Sequence, residues 1–159
     1  AKLPDMQAGW EQMCSNVMAG LSGLNMVYEA AGMHASLLGF CHESLILGDD
    51  LIGHAQRCVR GIEVTEETLA VDQVKQVCLG GPGHYLGTDQ TLARMESDYV
   101  YPTTGERMSP KEWAEKGKPD LNKAAIARKE EILATRSAAR FDPELDLALR
   151  AEFNIHLSA

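Results

Sequence analysis

The sequence predicts a mainly α-helical chain with about six helices and one or two short strands. Apolar residues recur at three- and four-residue spacing along most of its 159 residues, which is the periodicity of amphipathic helices. One segment, residues 25–29, has the character of a short strand. The hydrophobic fraction of 45% and the charged fraction of 24% are those of an ordinary globular domain.

The first predicted helix begins at Pro4 and Asp5, because proline suits a first turn and a carboxylate complements the helix dipole. It runs to about Leu21 and carries one apolar stripe. Residues 25–29 follow as the predicted strand. A helix, a glycine-bearing turn and a strand in this order form the αβ half of a parallel α/β unit. Because one strand cannot form a sheet, we expect its partners outside this chain or in another copy.

Three more helices are predicted before Pro102. Residues 42–60 form a helix that Gly61 ends, and residues 88–97 form one or two helical turns. Between them, Thr65 caps a helix over residues 66–79. The apolar residues expected on the inner side of this third helix are Leu69, Val74, Val77 and Cys78.

Residues 103–159 are predicted to be a charged helical extension of a body formed by residues 1–102. Ser109 and Pro110 begin a short helix that reaches Lys116. A long Ala-rich helix over residues 120–140 and a last helix, opened by Asp142 and Pro143 and reaching about Leu157, complete the extension.

Charge divides unevenly between the two parts. The body holds 5 Lys and Arg against 13 Asp and Glu, whereas the extension holds 10 of each. A nucleic-acid surface needs clustered basic groups, so neither part is predicted to bind nucleic acid. An acidic body suits a cationic small molecule or a basic partner.

Composition also bears on location. No apolar run approaches the roughly 18 residues that a membrane-spanning helix needs, and the first residues lack the pattern of a signal peptide. The four cysteines lie far apart and never as a CxxC pair, so neither a disulfide framework nor metal-binding pairs are predicted. This usage indicates a reducing, cytoplasmic location.

The glycine-rich segment GGPGHYLG, residues 80–87, is the most irregular part of the body. It follows a predicted helix, and it lacks both the GxGxxG pattern of a dinucleotide site and the GK[ST] ending of a P-loop. One interpretation is a helix stop and a tight bend. The other is a backbone that approaches a ligand or a second subunit closely, with His84 and Tyr85 lining that surface.

The candidate binding residues follow from a positional argument. In α/β folds, ligands bind at the carboxyl ends of strands, beside the starts of helices. Six residues are predicted at such positions on one side of the fold, and they form the candidate substrate site: Asp5, Gln7, Tyr28, Glu29, His34 and Glu43. No catalytic residue can be assigned. The histidines lack HExxH or comparable ligand spacing, so no metal site is predicted.

Four segments carry a resemblance to a known family. They are LPDMQAGWEQ, NMVYEAAGM, the stretch HESLILGDDLIGHAQRCVRGIEVTEETLAVDQV, and GGPGHYLGTDQTLARMESDYVYP. Together they resemble the C-terminal part of the trimethylamine methyltransferase (MttB) family, most densely over residues 3–102.

The resemblance implies a (β/α)8 TIM barrel, of which this chain would be the last βα portion plus a helical extension. It implies an enzyme that moves a methyl group from trimethylamine, or from a quaternary amine such as glycine betaine, to the cobalt of a corrinoid (cobalamin). A separate corrinoid protein would supply that cofactor, so no cofactor is expected to bind this chain directly. Some members use pyrrolysine, expected upstream of or very near Ala1. Many relatives carry Glu soon after the GM turn, where this chain has His34, which implies a different headgroup or an altered wall.

Two other functions stay open. The chain could be a non-enzymatic helical module that docks a corrinoid or other protein, or a stand-alone binding protein for a cationic metabolite. Uncovered apolar helix faces predict self-association into a homo-oligomer. The chain alone is expected to be inactive, because most of a barrel wall would be absent from it.

Overall fold

The computed structural model describes residues 1–135 and 142–156, and this part of the chain is mainly helical. It contains eight helical segments and one two-stranded sheet where about six helices and one or two strands were predicted. The elements are α1 (Met6–Leu21), β1 (Met33–His34), β2 (Gly39–Phe40), α2 (His42–Arg60), α3 (Glu66–Leu69), α4 (Val71–Cys78), α5 (Asp89–Asp98), α6 (Pro110–Glu115), α7 (Leu121–Thr135) and α8 (Pro143–Glu152). In the described residues no helix is long and apolar enough to cross a bilayer.

The predicted helix starts are confirmed by their caps. The Asp5 carboxylate accepts hydrogen bonds from the backbone nitrogens of Gln7 (3.0 Å) and Ala8 (3.2 Å). Thr65 caps α3 as predicted, and Ser109 forms a capping box ahead of α6. Each cap satisfies backbone N–H groups that the first helical turn leaves unpaired.

The predicted strand over residues 25–29 is wrong. This segment is irregular, and Glu29 has a left-handed backbone with φ of 56°. An isolated strand would leave its backbone N–H and C=O groups without hydrogen-bonding partners, so nothing stabilises the extended conformation of this segment. The sheet lies later, where β1 pairs antiparallel with β2 and Met33 faces Phe40. The predicted αβ half of a parallel unit is therefore absent from residues 1–135 and 142–156.

The third predicted helix is wrong as one element, because Ala70 breaks it into α3 and α4. Ala70 has φ of 52°, a left-handed conformation that ends one helix and starts the next. Of its four predicted inner residues only Val77 is buried, with 3% exposure. Leu69, Val74 and Cys78 are exposed.

Both predicted tail helices are present in the described residues. Helix α7 begins at Leu121, one residue after the predicted start, and is described to Thr135, so residues 136–140 of that prediction lie outside the described residues. Helix α8 ends at Glu152, before the predicted end near Leu157.

Helix α2 is central, and both α1 and α7 pack along it. Close approach depends on small residues, because a Cβ on Gly20 of α1 would collide with Val59 of α2. The buried hydrophobic side chains of the described residues are Ala55, Val77 and Ala125.

The segment after Pro102 is tied to this central helix by the carboxylate of Asp50. Its oxygens accept hydrogen bonds from Thr103 N (2.6 Å), Thr103 Oγ1 (3.0 Å), Thr104 N (2.7 Å) and Gly105 N (3.0 Å). The division of the chain at residue 102 stays a prediction.

Candidate functional site

Two grooves flank α1. The first, which we call the turn groove, has a volume of about 540 Å³ and lies between α1 and residues 27–37. The second, the apolar groove, has a volume of about 1040 Å³ and is bounded by α1, α2, α7 and part of residues 102–107. Both are open to solvent.

The turn groove brings together three of the six predicted site residues, Tyr28, Glu29 and His34. Tyr28 is 78% exposed, so its ring is available to a ligand. Glu29 makes no hydrogen bond or ion pair with any described residue, which leaves its carboxylate free. An unpaired carboxylate beside an exposed aromatic ring is an arrangement that attracts an organic cation.

His34 is the buried member of this group, with 8% exposure. Its Nε2 lies 2.6 Å from Ser44 Oγ, and Ser44 is itself only 5% exposed in the first turn of α2. This hydrogen bond fixes the orientation of the imidazole ring. Ser44 faces the apolar groove, so the pair lies between the two grooves.

A left-handed turn forms one wall of the turn groove. Ala35, Ser36 and Leu37 have φ of 51°, 55° and 69°, a conformation that costs roughly 1–2 kcal/mol per non-glycine residue. The turn joins β1 to β2, and Ala35 N donates to the Ala1 carbonyl at 2.8 Å. Strain of this kind persists where the surroundings impose it and is concentrated at binding sites.

Helix α1 supplies the opposite wall. Its contributing residues recur at helical spacing: Ala8, Glu11, Gln12, Ser15, Asn16 and Ala19. Asn16 Nδ2 donates to the Ala30 carbonyl at 3.0 Å and so ties the turn segment to the helix. These residues were not among the predicted site residues, although their polar members recur at three- and four-residue spacing in the sequence, which would have indicated them.

The other predicted site residues have different surroundings. Asp5 caps α1 and lines the apolar groove instead. Gln7 lies in neither groove, but its Nε2 donates to Glu11 at 2.7 Å. The Ala1 amino group also donates to Glu11 at 2.6 Å, and these hydrogen bonds lower the pKa of that carboxyl.

Glu43 is committed to an ion pair with the extension. Lys129 Nζ of α7 donates to its carboxylate at 2.6 Å, and Cys41 Sγ donates at 3.2 Å. The hydrogen bond from Lys129 is the main reason that the pKa of Glu43 falls to about 2. Glu43 lines neither groove, so the structure gives it a role between α2 and α7.

His84 and Tyr85 also lie outside both grooves. Tyr85 Oη is 3.5 Å from Cys78 Sγ, and this hydrogen bond raises the pKa of the phenol. Their glycine-rich segment follows α4 as an irregular connection, in line with the helix-stop interpretation.

Comparison with known proteins identifies the family. Residues 1–156 match the model of the trimethylamine methyltransferase (MTTB) family, so the match extends through the charged tail. The chain is 31% identical over 151 residues to a glycine betaine methyltransferase of Desulfitobacterium hafniense (strain Y51), covering 95% of this chain and 31% of that protein. It is 33% identical over 146 residues to trimethylamine methyltransferase MttB of Methanosarcina barkeri (strain Fusaro / DSM 804), covering 91% of this chain and 28% of that protein.

The chain thus spans about three tenths of the length of these curated relatives. The family match nevertheless covers almost every residue of the chain, in the body and in the extension alike. This chain belongs to the trimethylamine methyltransferase family.

Proposed function

We propose that this chain is part of a methyltransferase that takes a methyl group from a tertiary or quaternary methylamine. The family match over residues 1–156 is the main support for the proposal, since relatives named for trimethylamine and for glycine betaine both align along nearly the whole chain. In the same proposal the complete enzyme is a TIM barrel in a cytoplasmic setting. A reducing setting agrees with the four cysteines, all of which are free thiols.

The proposed acceptor is the cobalt of a corrinoid carried by a separate protein. In the reaction the N–CH3 bond breaks, the methyl carbon bonds to the reduced acceptor, and the amine nitrogen keeps the electron pair. A quaternary nitrogen is positively charged before transfer and neutral afterwards. Residues near it therefore act mainly by binding and orienting the substrate.

The turn groove supports this proposal at the level of binding. Glu29 offers an unpaired carboxylate, and Tyr28 offers an exposed ring face. An aromatic face and a carboxylate together stabilise a methylated ammonium group, which can donate few or no hydrogen bonds.

Methyl transfer in the full-length protein tests the proposal. The protein containing residues 1–159 is mixed with a reduced corrinoid protein and with trimethylamine or glycine betaine, and methylation of cobalt is followed by absorbance. Transfer that needs both the protein and one methylated amine is the expected result. Failure with every methylated amine tried, under conditions where the corrinoid stays reduced, would overturn it.

A second function, a docking module for another protein, is favoured by the exposed apolar surface. Large hydrophobic side chains stay exposed on α1, including Met6 at 80% and Trp10 at 61%. A stable complex with the corrinoid protein, together with no binding of any methylated amine, would favour this function over the first.

A further inference from the structure

The apolar groove has no part in the proposed methyl transfer, although it is the larger of the two grooves that flank α1. Its walls present large hydrophobic side chains to water. On α1, Met6 is 80% exposed and Trp10 is 61% exposed. On α7, Leu121 is 48% exposed and Ile126 is 40% exposed. Apolar surface of this extent marks a place where another protein surface binds.

The charged groups that line the apolar groove leave one cation without a counter-ion. The three carboxylates of the lining already have partners in the fold, and they belong to Asp5, Asp50 and Asp120. Lys123 is paired with Asp120 at 3.3 Å. Among the described residues, the Arg107 guanidinium donates only to the adjacent backbone carbonyl, at 2.9 Å, and forms no ion pair. An occupant of the groove should therefore bring an acidic group toward Arg107.

Helix α8 has the complementary features. No other described helix or strand packs extensively against it, and it contributes no residue to the lining of the apolar groove. One stripe of the helix is formed at positions i, i+3, i+4 and i+7 by Glu144, Leu147, Ala148 and Ala151. All four are exposed, with Leu147 at 69%, and the Glu144 carboxylate has no partner in the described part of the chain. The stripe is thus apolar, with an acidic group at its start.

The dimensions of α8 also suit the apolar groove. Its 10 residues form a helix about 15 Å long and about 10 Å across, which occupies on the order of 1,000 Å³. The groove has a volume of about 1040 Å³, which is similar. Because Ala148 and Ala151 are small, the helix backbone can approach the walls closely while the side chain of Leu147 enters between α1 and α7.

We propose that the apolar groove binds α8 of a second copy of this chain, with Leu147 between α1 and α7 and Glu144 paired with Arg107. Each copy has one groove and one α8, so the exchange is reciprocal and closes as a two-fold dimer. Reciprocity adds to stability, because each partner of a stable complex buries roughly 800 Å² and a single helix of this length supplies too little area. In the dimer each copy contributes both a helix and a groove.

Photo-crosslinking in the full-length protein tests which chain occupies the groove. A benzophenone amino acid replaces Leu147 in unlabelled protein, which is irradiated after subunit exchange with isotope-labelled protein. Cross-links to labelled peptides from residues 6–13 or 121–126 are the expected result. The same probe at Lys111, whose side chain is 86% exposed on α6, is the control and should not label these peptides. Cross-links that stay within one chain, or that join an added corrinoid protein, would overturn the proposal.

Two substitutions on α8 test the docking stripe. Leu147→Glu places a charge on this stripe and should raise the Kd of the dimer roughly 10- to 100-fold, because the burial of a leucine is lost. Leu145→Glu is the matched control, since two residues of helix turn by about 200° and place Leu145 on the opposite side. Sedimentation equilibrium measures both Kd values. Equal effects of the two substitutions, or a monomer at every concentration of the unaltered protein, would overturn the proposal.

Charge reversal tests the pair of Glu144 and Arg107, both of which are exposed in the structure. Glu144→Arg and Arg107→Glu should each raise the Kd roughly threefold to tenfold. The protein with both substitutions should dimerise with a Kd within about twofold of the original value, because the pair is restored with its charges exchanged. A double variant that dimerises no better than either single variant would contradict the proposal.

Discussion

The carboxylate of Asp50 ties the segment after Pro102 to the central helix through four hydrogen bonds. Desolvation raises the pKa of Asp50, but the hydrogen bonds from Thr103, Thr104 and Gly105 outweigh it, so the net pKa is lowered. A lowered pKa means that this stabilisation is complete above the unfolded-state pKa of about 3.9 and is lost as the pH falls through the folded value.

Asp50→Asn should therefore lower the free energy of unfolding by about 2–3 kcal/mol at neutral pH, because an amide nitrogen would face backbone donors. Urea unfolding followed by circular dichroism measures this change. The matched control is Asp49→Asn, since Asp49 is the exposed neighbour on the same helix. Equal effects of the two substitutions would show that the hydrogen bonds to residues 103–105 do not stabilise the fold.

A substitution of Glu29 tests the candidate binding site in the turn groove. The Glu29 carboxylate is unpaired within the described residues, and in the proposed reaction the ammonium charge of the substrate disappears as the methyl group leaves. Glu29→Gln in the full-length protein should raise KM roughly tenfold while changing kcat much less. Glu63→Gln is a suitable control, because Glu63 is exposed and lines neither groove. A large loss of kcat with constant KM would instead place Glu29 at the reacting atoms.

The backbone is strained at the break between α3 and α4. Ala70 adopts φ of 52° as both the end of α3 and the start of α4. Ala70→Gly should raise the free energy of unfolding by about 0.5–1 kcal/mol, because glycine removes the Cβ penalty of the left-handed conformation. Thermal and urea unfolding measure the gain. A loss of stability similar to that expected for glycine inside a continuous helix would show that residues 66–79 form one helix.

Helix α7 is held to the start of α2 by the ion pair of Lys129 and Glu43, in which both side chains are about a quarter exposed. Since the pKa of Glu43 is lowered to about 2, the stabilisation is complete above its ordinary value of 4.5 and fades as the pH falls toward about 2. Lys129→Met should abolish this pH dependence and speed amide exchange over residues 121–135, as measured by mass spectrometry. Lys123→Met is the control, because Lys123 pairs with Asp120, the residue just before α7, and within the described residues makes no ion pair with α2. An unchanged rate of amide exchange over residues 121–135 in Lys129→Met would mean that apolar contacts alone hold α7 against α2.

The helices could be predicted from the sequence because their signals are local. Asp5, Thr65 and Ser109 cap helices where the sequence placed them, since capping depends on a side chain and the next three residues. The turn groove could not be predicted in full. Its wall depends on the left-handed turn at Ala35, on Asn16 reaching Ala30, and on His34 meeting Ser44, and these contacts join residues that no local pattern connects.

At the scale of the whole molecule, the chain exposes more surface than a folded domain of its size. Its accessible surface is 12484 Å² for 17.4 kDa, whereas a compact monomer of that mass exposes about 7,900 Å². Within the described residues no large side chain is fully buried, and Leu38 (89%), Ile62 (86%) and Met26 (81%) are among the exposed hydrophobic residues. Apolar surface on this scale is covered by other protein in most stable structures.

The isolated chain of residues 1–159 should therefore self-associate, because burying exposed apolar faces between copies contributes roughly 25 cal/mol per Å². Light scattering coupled to size exclusion should show a mass above 17.4 kDa that rises with concentration. The substitution Trp10→Glu places a charge in the apolar groove and should weaken association, whereas Lys2→Glu, a surface change outside both grooves, serves as its control. A monodisperse monomer at high concentration would contradict this prediction and would mean that the chain tolerates its exposed apolar surface in water.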